Sequence, residues 1–285
     1  AVLLTTRNGE VILHRAYGFA DPLTQAPMKP NTLFRICSQT KAITATAAMV
    51  CWEKGLLELD DPVAKYIPTF ASIGILDSLM ADTSFTSTPA QNTLTIRHLM
   101  THTNGIPYGE IGNPRYEKIY TKHDVTDLFP RDERSTYDNA DKIGQLALAH
   151  EPGAQWTYSL GLDVLVAVIE VASGQPYADF VEAEIFEPLG MDDTHFVVPE
   201  SDQSRLANVM ERAPNGSSWQ THQHPDYTID YPMHAEWPLC SGGAGLTSSA
   251  SDYAKFLQMY LSRGAAKGVR ILKEATVDSV MADQA

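Results

Sequence analysis

Two β-rich runs meet at Asn8-Gly9 in "VLLTTRNGEVILHRAYGFAD", and nothing later in the chain reads as a sheet that could pair with them. That imbalance constrains the fold more than any other feature. An Asn-Gly dipeptide accepts the positive φ angles of a tight hairpin turn, but a hairpin by itself is at best marginally stable in water. Helical patterns dominate the remainder, so an α+β chain is expected whose opening strands still need partners. The start, "AVLLTTRNGE", reads as the middle of a strand. The end, "GVRILKEATVDSVMADQA", supplies no closing one. The expectation is an incomplete sheet, either because the chain is incomplete or because its C-terminal portion sits in another segment.

At 285 residues the chain can bury one large core or two smaller ones. A net charge of −14 argues against nucleic acid or an anionic membrane as partner, since both call for a basic face. No apolar run is long enough to span a bilayer, and the longest candidate, "GLDVLVAVIEVA", is interrupted by Asp163 and Glu170. Cys37, Cys51 and Cys240 are an odd, sparse set and no disulfide framework. No signal peptide is visible, but the start looks trimmed, so the compartment is left unknown with a cytoplasmic one slightly favoured. The oligomeric state is not legible.

Residues 21–33 are turn-rich and lead into a helix expected from about Gln39 to Gly55, where glycine is a good stop. "LELDDPVAKYIP" breaks structure before a looser stretch to Asn92. "TIRHLMTHTNG" predicts a short helix capped by Thr95 and closed at Asn104-Gly105. A helix near 140–149 follows, then the loop "EPGAQWTYS", an apolar helix from Leu160 to Ser173 and another from about Tyr177 to Glu187. Residues 199–238 read as surface loop. "SGGAGLTSSASDYAKFLQMYL" is a glycine-rich entry to a helix capped by Ser249 or Ser251.

The chemistry concentrates in "FRICSQTKAITATAAMVCWEKG". Ser38 sits at the mouth of its helix and Lys41 one turn inside, on the same face. A cation there meets the positive end of the helix dipole, so a lysine in that place is a candidate base. A serine hydroxyl becomes a useful nucleophile only when a neighbour takes its proton. For an amine to do so its pKa must fall by roughly 3 units from about 10.4, or about 4 kcal/mol. The helix terminus supplies at most about 2 kcal/mol of that, and burial and neighbouring groups must supply the rest. Eighteen serines and ten lysines give roughly 0.6 chance Ser-x-x-Lys matches in such a length, so the context carries the signal. That context is a turn-rich entry and small residues, Ala42, Thr44, Ala45 and Ala47, behind the serine. A second feature, Tyr158, stands after a Pro-Gly turn just before the apolar helix, where a tyrosine beside a lysine can relay protons. The alternative makes Ser38 a helix cap, Lys41 a solvated cation and Tyr158 a packing residue.

"SQTK", "LTIRHLMTHTNGI", "EPGAQWTYS" and "SGGAGLTSSASDYAKFL" occur in the order found in the serine β-lactamase-like superfamily, and the resemblance spans essentially the whole chain. The set resembles the class C β-lactamases and their penicillin-binding relatives, and most closely the family VIII carboxylesterases. The resemblance implies a β-lactamase/transpeptidase-like fold, an antiparallel sheet flanked by helices over 1–65 and 150–285, and a mostly helical lobe over 66–149. It also implies that Ser38 is the acylated nucleophile, that Lys41 and Tyr158 form the base pair, and that the Ser38 amide is half of the oxyanion hole. Tyr108, Trp156 and Trp237 would line the acyl pocket, with Leu160, Gly242 and Gly243 beside it. The expected substrate is a small ester or β-lactam-like molecule, and no metal or organic cofactor is required. The expected activity is a serine carboxylesterase. The alternatives are a β-lactamase or D,D-peptidase, an acyltransferase, and a penicillin sensor or degenerate binding domain without turnover.

Two departures bear on this. Where the β-lactamase pattern has an asparagine two residues after the tyrosine, this chain has Leu160, which favours esters over lactams. The third motif of the family, Lys/His-Thr-Gly or Trp-Gly-Gly on a C-terminal strand, is absent from the sequence. The missing strands and the missing motif are one observation.

Other candidates are less supported. No Gly-x-Ser-x-Gly occurs. Cys37 beside Ser38 reads as a small packing residue. His98 and His102 have a zinc-compatible i, i+4 spacing but no following glutamate in the protease pattern. His222, His224 and His234 fall in a loop. The glycines of "SGGAGL" lack the strand and spacing of a dinucleotide loop and are better explained by tight packing.

Overall fold

The computed structural model describes residues 1–130, 132–222 and 231–284. The chain opens with the strand β1 (Val2–Arg7) and its partner β2 (Glu10–Ala16), turned at Asn8 and Gly9 with φ of 54° and 83°. Short strands β3 (Phe19–Asp21), β4 (Ala26–Pro27) and β5 (Leu33–Arg35) precede a 3₁₀ turn at Cys37–Gln39 and helix α1 (Thr40–Glu53). Next come the hairpin β6 (Gly74–Leu79) and β7 (Phe85–Pro89), then helices α2 (Ile96–Met100), α3 (Pro114–His123), α4 (Thr136–Gly144) and α5 (Gly161–Ser173). After α5 follow α6 (Tyr177–Val181), a π turn at Glu182–Phe186, α7 (Glu187–Leu189), β8 (Met210–Arg212), β9 (Trp219–Thr221), β10 (Thr247–Ser249) and α8 (Ala250–Leu261). Strands β11 (Ala265–Ala266) and β12 (Val269–Arg270) and helix α9 (Glu274–Met281) complete the chain.

Compactness divides these elements into two units. One comprises Ala1–Cys37, Glu182–Ala235 and Gly245–Val277. It holds small antiparallel sheets: β1 with β2, β3 with β4, β5 with β10, β8 with β9 and β11 with β12, each of two strands. Among the described residues no further strand joins β1 and β2, in keeping with the sequence. Helix α8 packs on β1 and is capped by Ser249, whose side chain accepts the Asp252 amide at 3.2 Å.

The other unit comprises Ser38–Val181, Glu236–Ala244 and Asp278–Ala285. The expected division grouped α1 and α5 with the opening strands and set 66–149 apart. By compactness α1 and α5 instead belong with 66–149, because α5 is a core helix that packs on α1, α2 and α4. Its residues from Gly161 to Ile169 are buried without a break, and each buried Val, Leu or Ile contributes about 1.5–3 kcal/mol. Helix α1 is buried on most of its surface by small residues, Ala47, Ala48, Thr44 and Thr46 among them. Thr44 Oγ1 donates to Gly242 O at 2.8 Å and receives the Tyr177 hydroxyl at 3.0 Å, so the polar atoms of this close packing are satisfied. A β-carbon on Gly242 would collide with Leu162 O and Val166 Cγ2, which is why the "SGGAG" stretch carries glycine there.

The β6–β7 hairpin and α3 stand where the sequence offered only loose or mixed patterns, and α4 lies some four residues before its expected start. At α2 the expectation is met: the Thr95 side chain accepts the His98 amide, and His98 Nδ1 accepts the Thr95 amide in return at 3.2 Å. No single helix among the described residues is long and apolar enough to cross a membrane. Gly105 ends this segment with φ of 76°, and a β-carbon on it would press on His150 O. Gly105→Ala should therefore destabilise the protein by about 2 kcal/mol or more, read as a lower urea midpoint. An unchanged midpoint would show that the 102–108 loop relaxes freely.

Candidate active site

Ser38 lies in the 3₁₀ turn that opens α1, exposed, directly after Cys37, whose φ is 45°. Its Oγ is 2.5 Å from the Tyr158 hydroxyl and 3.3 Å from Lys41 Nζ. Lys41 Nζ also donates to Gly243 O at 2.8 Å and to the Tyr108 hydroxyl at 3.1 Å. Two directions of the amine are thus taken by fixed oxygens. The third faces Ser38 Oγ, where a neutral amine has its lone pair and an ammonium its third proton. Ser38, Lys41, Tyr108, Tyr158 and Gly243 all belong to one compact unit.

The partners of Lys41 are held from below by Asp163, in the first turn of α5. Its Oδ1 accepts Ser241 Oγ at 2.7 Å and the Gly243 amide at 3.1 Å, and its Oδ2 lies 3.4 Å from the Tyr108 hydroxyl. Burial pushes this carboxyl above the usual aspartate range, while the hydrogen bonds and the Lys41 charge pull the other way. Burial, and then the Asp163 charge, raise Tyr108 far above an ordinary tyrosine, so it stays a neutral phenol.

Tyr158 is placed by two chain segments that zip together. The amide of Thr157 donates to His102 O at 2.8 Å and that of Leu160 to Ile106 O at 2.9 Å, and Pro107 bridges Ser159 in antiparallel fashion. Asn104 Oδ1 accepts the Ile106 amide at 2.8 Å and so sets the turn. Asp127 Oδ2 accepts the amides of Gly109 and Glu110 at 2.6 and 2.9 Å, fixing the chain just after Tyr108. The Tyr158 ring then meets those of Tyr108 at 5.1 Å and His102 at 5.2 Å, and Lys41 Nζ stands 4.7 Å from its centroid.

The remaining expected residues distribute unevenly. Tyr108 is 1% exposed and acts as a hydrogen-bond partner of Lys41, a role that its place in the sequence did not reveal. Trp156 is exposed and stacks on Tyr158 at 6.3 Å. Leu160 is fully buried at the head of α5. Gly242 and Gly243 contribute by lacking a side chain, for a β-carbon on Gly243 would run into the Tyr108 hydroxyl and Asp163 Oδ2. Trp237 is half-buried on the same segment as the two glycines. His98 serves the cap of α2 and His102 Nδ1 meets Ser159 Oγ, so the two rings have different partners. His222 pairs with Glu211 at 2.7 Å, and His224 lies outside the described residues. Asp163 and Ser241 were not singled out. The signal for Asp163 was in view, since a charge inside an otherwise apolar helix needs an explanation.

The model of the family described as Beta-lactamase matches residues 1–284. Esterase EstB of Burkholderia gladioli is 32% identical over 301 residues, covering all of this chain and 70% of its own. Among solved structures, EstCE1, described as a hydrolase with promiscuous acyltransferase activity, superposes with a TM-score of 0.74 at 29% identity, over 97% of this chain and 70% of its own. Unliganded selenomethionyl simvastatin synthase of Aspergillus terreus shares the fold, with a TM-score of 0.77 at 24% identity, over 97% of this chain and 66% of its own. With its helices and small antiparallel sheets, the chain has the β-lactamase/transpeptidase-like fold and belongs to the beta-lactamase family.

Proposed function

We propose that the protein is a serine hydrolase that cleaves carboxylic esters through an acyl-enzyme on Ser38, with Lys41 and Tyr158 as its general base pair. One observation carries the reading. A hydroxyl exposed at a helix mouth shares a 2.5 Å hydrogen bond with a phenol and a 3.3 Å contact with an amine, which is the arrangement an activated nucleophile requires. In acylation Ser38 Oγ bonds to the ester carbonyl carbon and its proton passes to the Tyr158–Lys41 pair. The alkoxide leaving group takes that proton as the C–O bond breaks. Water then attacks the acyl-enzyme, yields its proton to the same pair, and the carboxylic acid departs as Ser38 regains its hydrogen. Tyr158 and Lys41 act as a coupled pair. The Ser38 amide, at the start of α1, serves as an oxyanion donor.

Esters are favoured over β-lactams because the position two residues after Tyr158 is the buried Leu160, which offers no side-chain amide to a substrate. The esterase EstB supports the same choice. A second reading, acyl transfer, draws support from the description of EstCE1. In it an alcohol replaces water in the second step, and the groups on the protein are unchanged.

Intact mass after exposure to a fluorophosphonate should show one adduct, mapping to Ser38. Lys41→Met should slow its formation by at least about a hundredfold, and near-normal labelling would remove Lys41 from the mechanism. Steady release of p-nitrophenol from p-nitrophenyl acetate is expected. A single equivalent followed by silence would mean a sensor, and faster release on adding an alcohol acceptor would favour transfer. Asp163→Asn should keep the fold yet slow labelling by roughly tenfold or more, because the groups that aim Lys41 lose their anchor. Wild-type labelling in that variant would restrict Asp163 to stability.

A further inference from the structure

Resting on the reading of Ser38 and Tyr158 above, we propose that His102 is a positioning residue for Tyr158: a neutral imidazole, locked with its proton on Nε2, whose ring holds the phenol towards Ser38. The tautomer follows from counting protons. Ser159 Oγ receives Asn104 Nδ2 at 2.8 Å and the Gly161 amide at 3.3 Å. Asn104 cannot be turned over, because its Oδ1 accepts the Ile106 amide at 2.8 Å and its Nδ2 also donates to His98 O at 3.2 Å. A hydroxyl has two lone pairs and one proton. With both lone pairs engaged, the proton of Ser159 points at His102 Nδ1, 2.7 Å away. Nδ1 is therefore an acceptor and the ring proton sits on Nε2. An imidazolium would direct a second N–H at an oxygen whose lone pairs are already used.

The surroundings oppose that cation as well. Among the described residues, the Lys41 charge on α1 acts on the ring, the Tyr158 phenol packs against it, and Tyr108 lies on the far side of Tyr158. Burial first, and then the Lys41 charge, lower His102 to about 4. Its backbone has φ of 58°, a left-handed conformation uncommon for a residue with a side chain, and the Thr157 amide bonded to His102 O holds it there. In that pose the ring touches Tyr158 at 5.2 Å and Trp156 at 5.9 Å. The hydrogen-bond chain Asn104–Ser159–His102 thus converts the geometry of the turn into the placement of one phenol.

Two measurements test this. In ¹⁵N-histidine NMR of the whole chain, His102 should show a bare Nδ1 and a protonated Nε2 at every pH from 8 to 5. A titration midpoint near 6.5, or the opposite tautomer, overturns the proposal even if no ester is ever turned over. The rate constant for fluorophosphonate labelling of Ser38 counts only folded molecules, so it separates positioning from simple loss of fold. His102→Ala should lower it roughly tenfold to a hundredfold, and His102→Phe, which keeps a ring, should recover most of that loss. Ser159→Ala should slow labelling and let His102 titrate at higher pH. Wild-type labelling by His102→Ala overturns the positioning role. If the unaltered protein is not labelled at all, the hydrolase reading fails, and the NMR titration alone judges the state of His102.

Discussion

The carboxylate of Asp163, buried in the first turn of α5, obliges the centre of this unit to be polar. A charge in an apolar core is tolerated only when hydrogen bonds and an opposite charge surround it. Ser241, the Gly243 amide and Tyr108 supply the bonds, and Lys41 supplies the charge. Each of those partners in turn has a second duty, because Gly243 O and the Tyr108 hydroxyl are the two oxygens that aim Lys41 at Ser38. A helix otherwise made of Val, Leu and Ile therefore sets the direction of an amine on a different helix. The small residues of α1 and the glycines of the 241–244 stretch let the two approach closely enough for this to work.

Above that layer the decisive interactions are between backbones. The segments 102–108 and 157–160 are zipped by three main-chain contacts, and the side chains they carry, His102, Tyr108 and Tyr158, meet as a consequence. Rigid rings carry little rotamer freedom, so aromatic packing holds a phenol in place at low entropic cost. The product is a hydroxyl pair 2.5 Å apart at the mouth of α1. It is open to solvent on the Ser38 side and backed by a buried, hydrogen-bonded layer on the other. Such preorganisation is what general base chemistry on a serine needs.

Much of this was legible before any coordinates. The Asn8-Gly9 hairpin, the helix behind Ser38, the Thr95 cap and the core helix after Tyr158 are all local, since turn chemistry, capping and apolar periodicity act within a few residues. Ser38 and Lys41 were within one turn of each other by spacing alone. The hairpin β6–β7 left no clear trace in the sequence because "GILDSL" does not alternate in burial and "FTSTP" is mostly exposed. The complete burial of Leu160 is not legible from its place in a motif, which says nothing of which way a side chain points. The division by compactness is not legible in the chain either, for it depends on which helices share a core.

By itself, then, the sequence determined the capped and periodic local elements, the identity of the nucleophile candidate and the family, since each rests on neighbours in the chain or on ordered motifs. Only the tertiary structure decided that Tyr158, 120 positions away, is hydrogen-bonded to Ser38. It also decided that Tyr108 and Asp163 stand beneath Lys41, and that His98 and His102 part company. Those outcomes depend on hydrogen bonds between residues 55 to 202 positions apart. Bonds of that reach leave no periodic trace in the chain, because the geometry that makes them exists only once the core has closed.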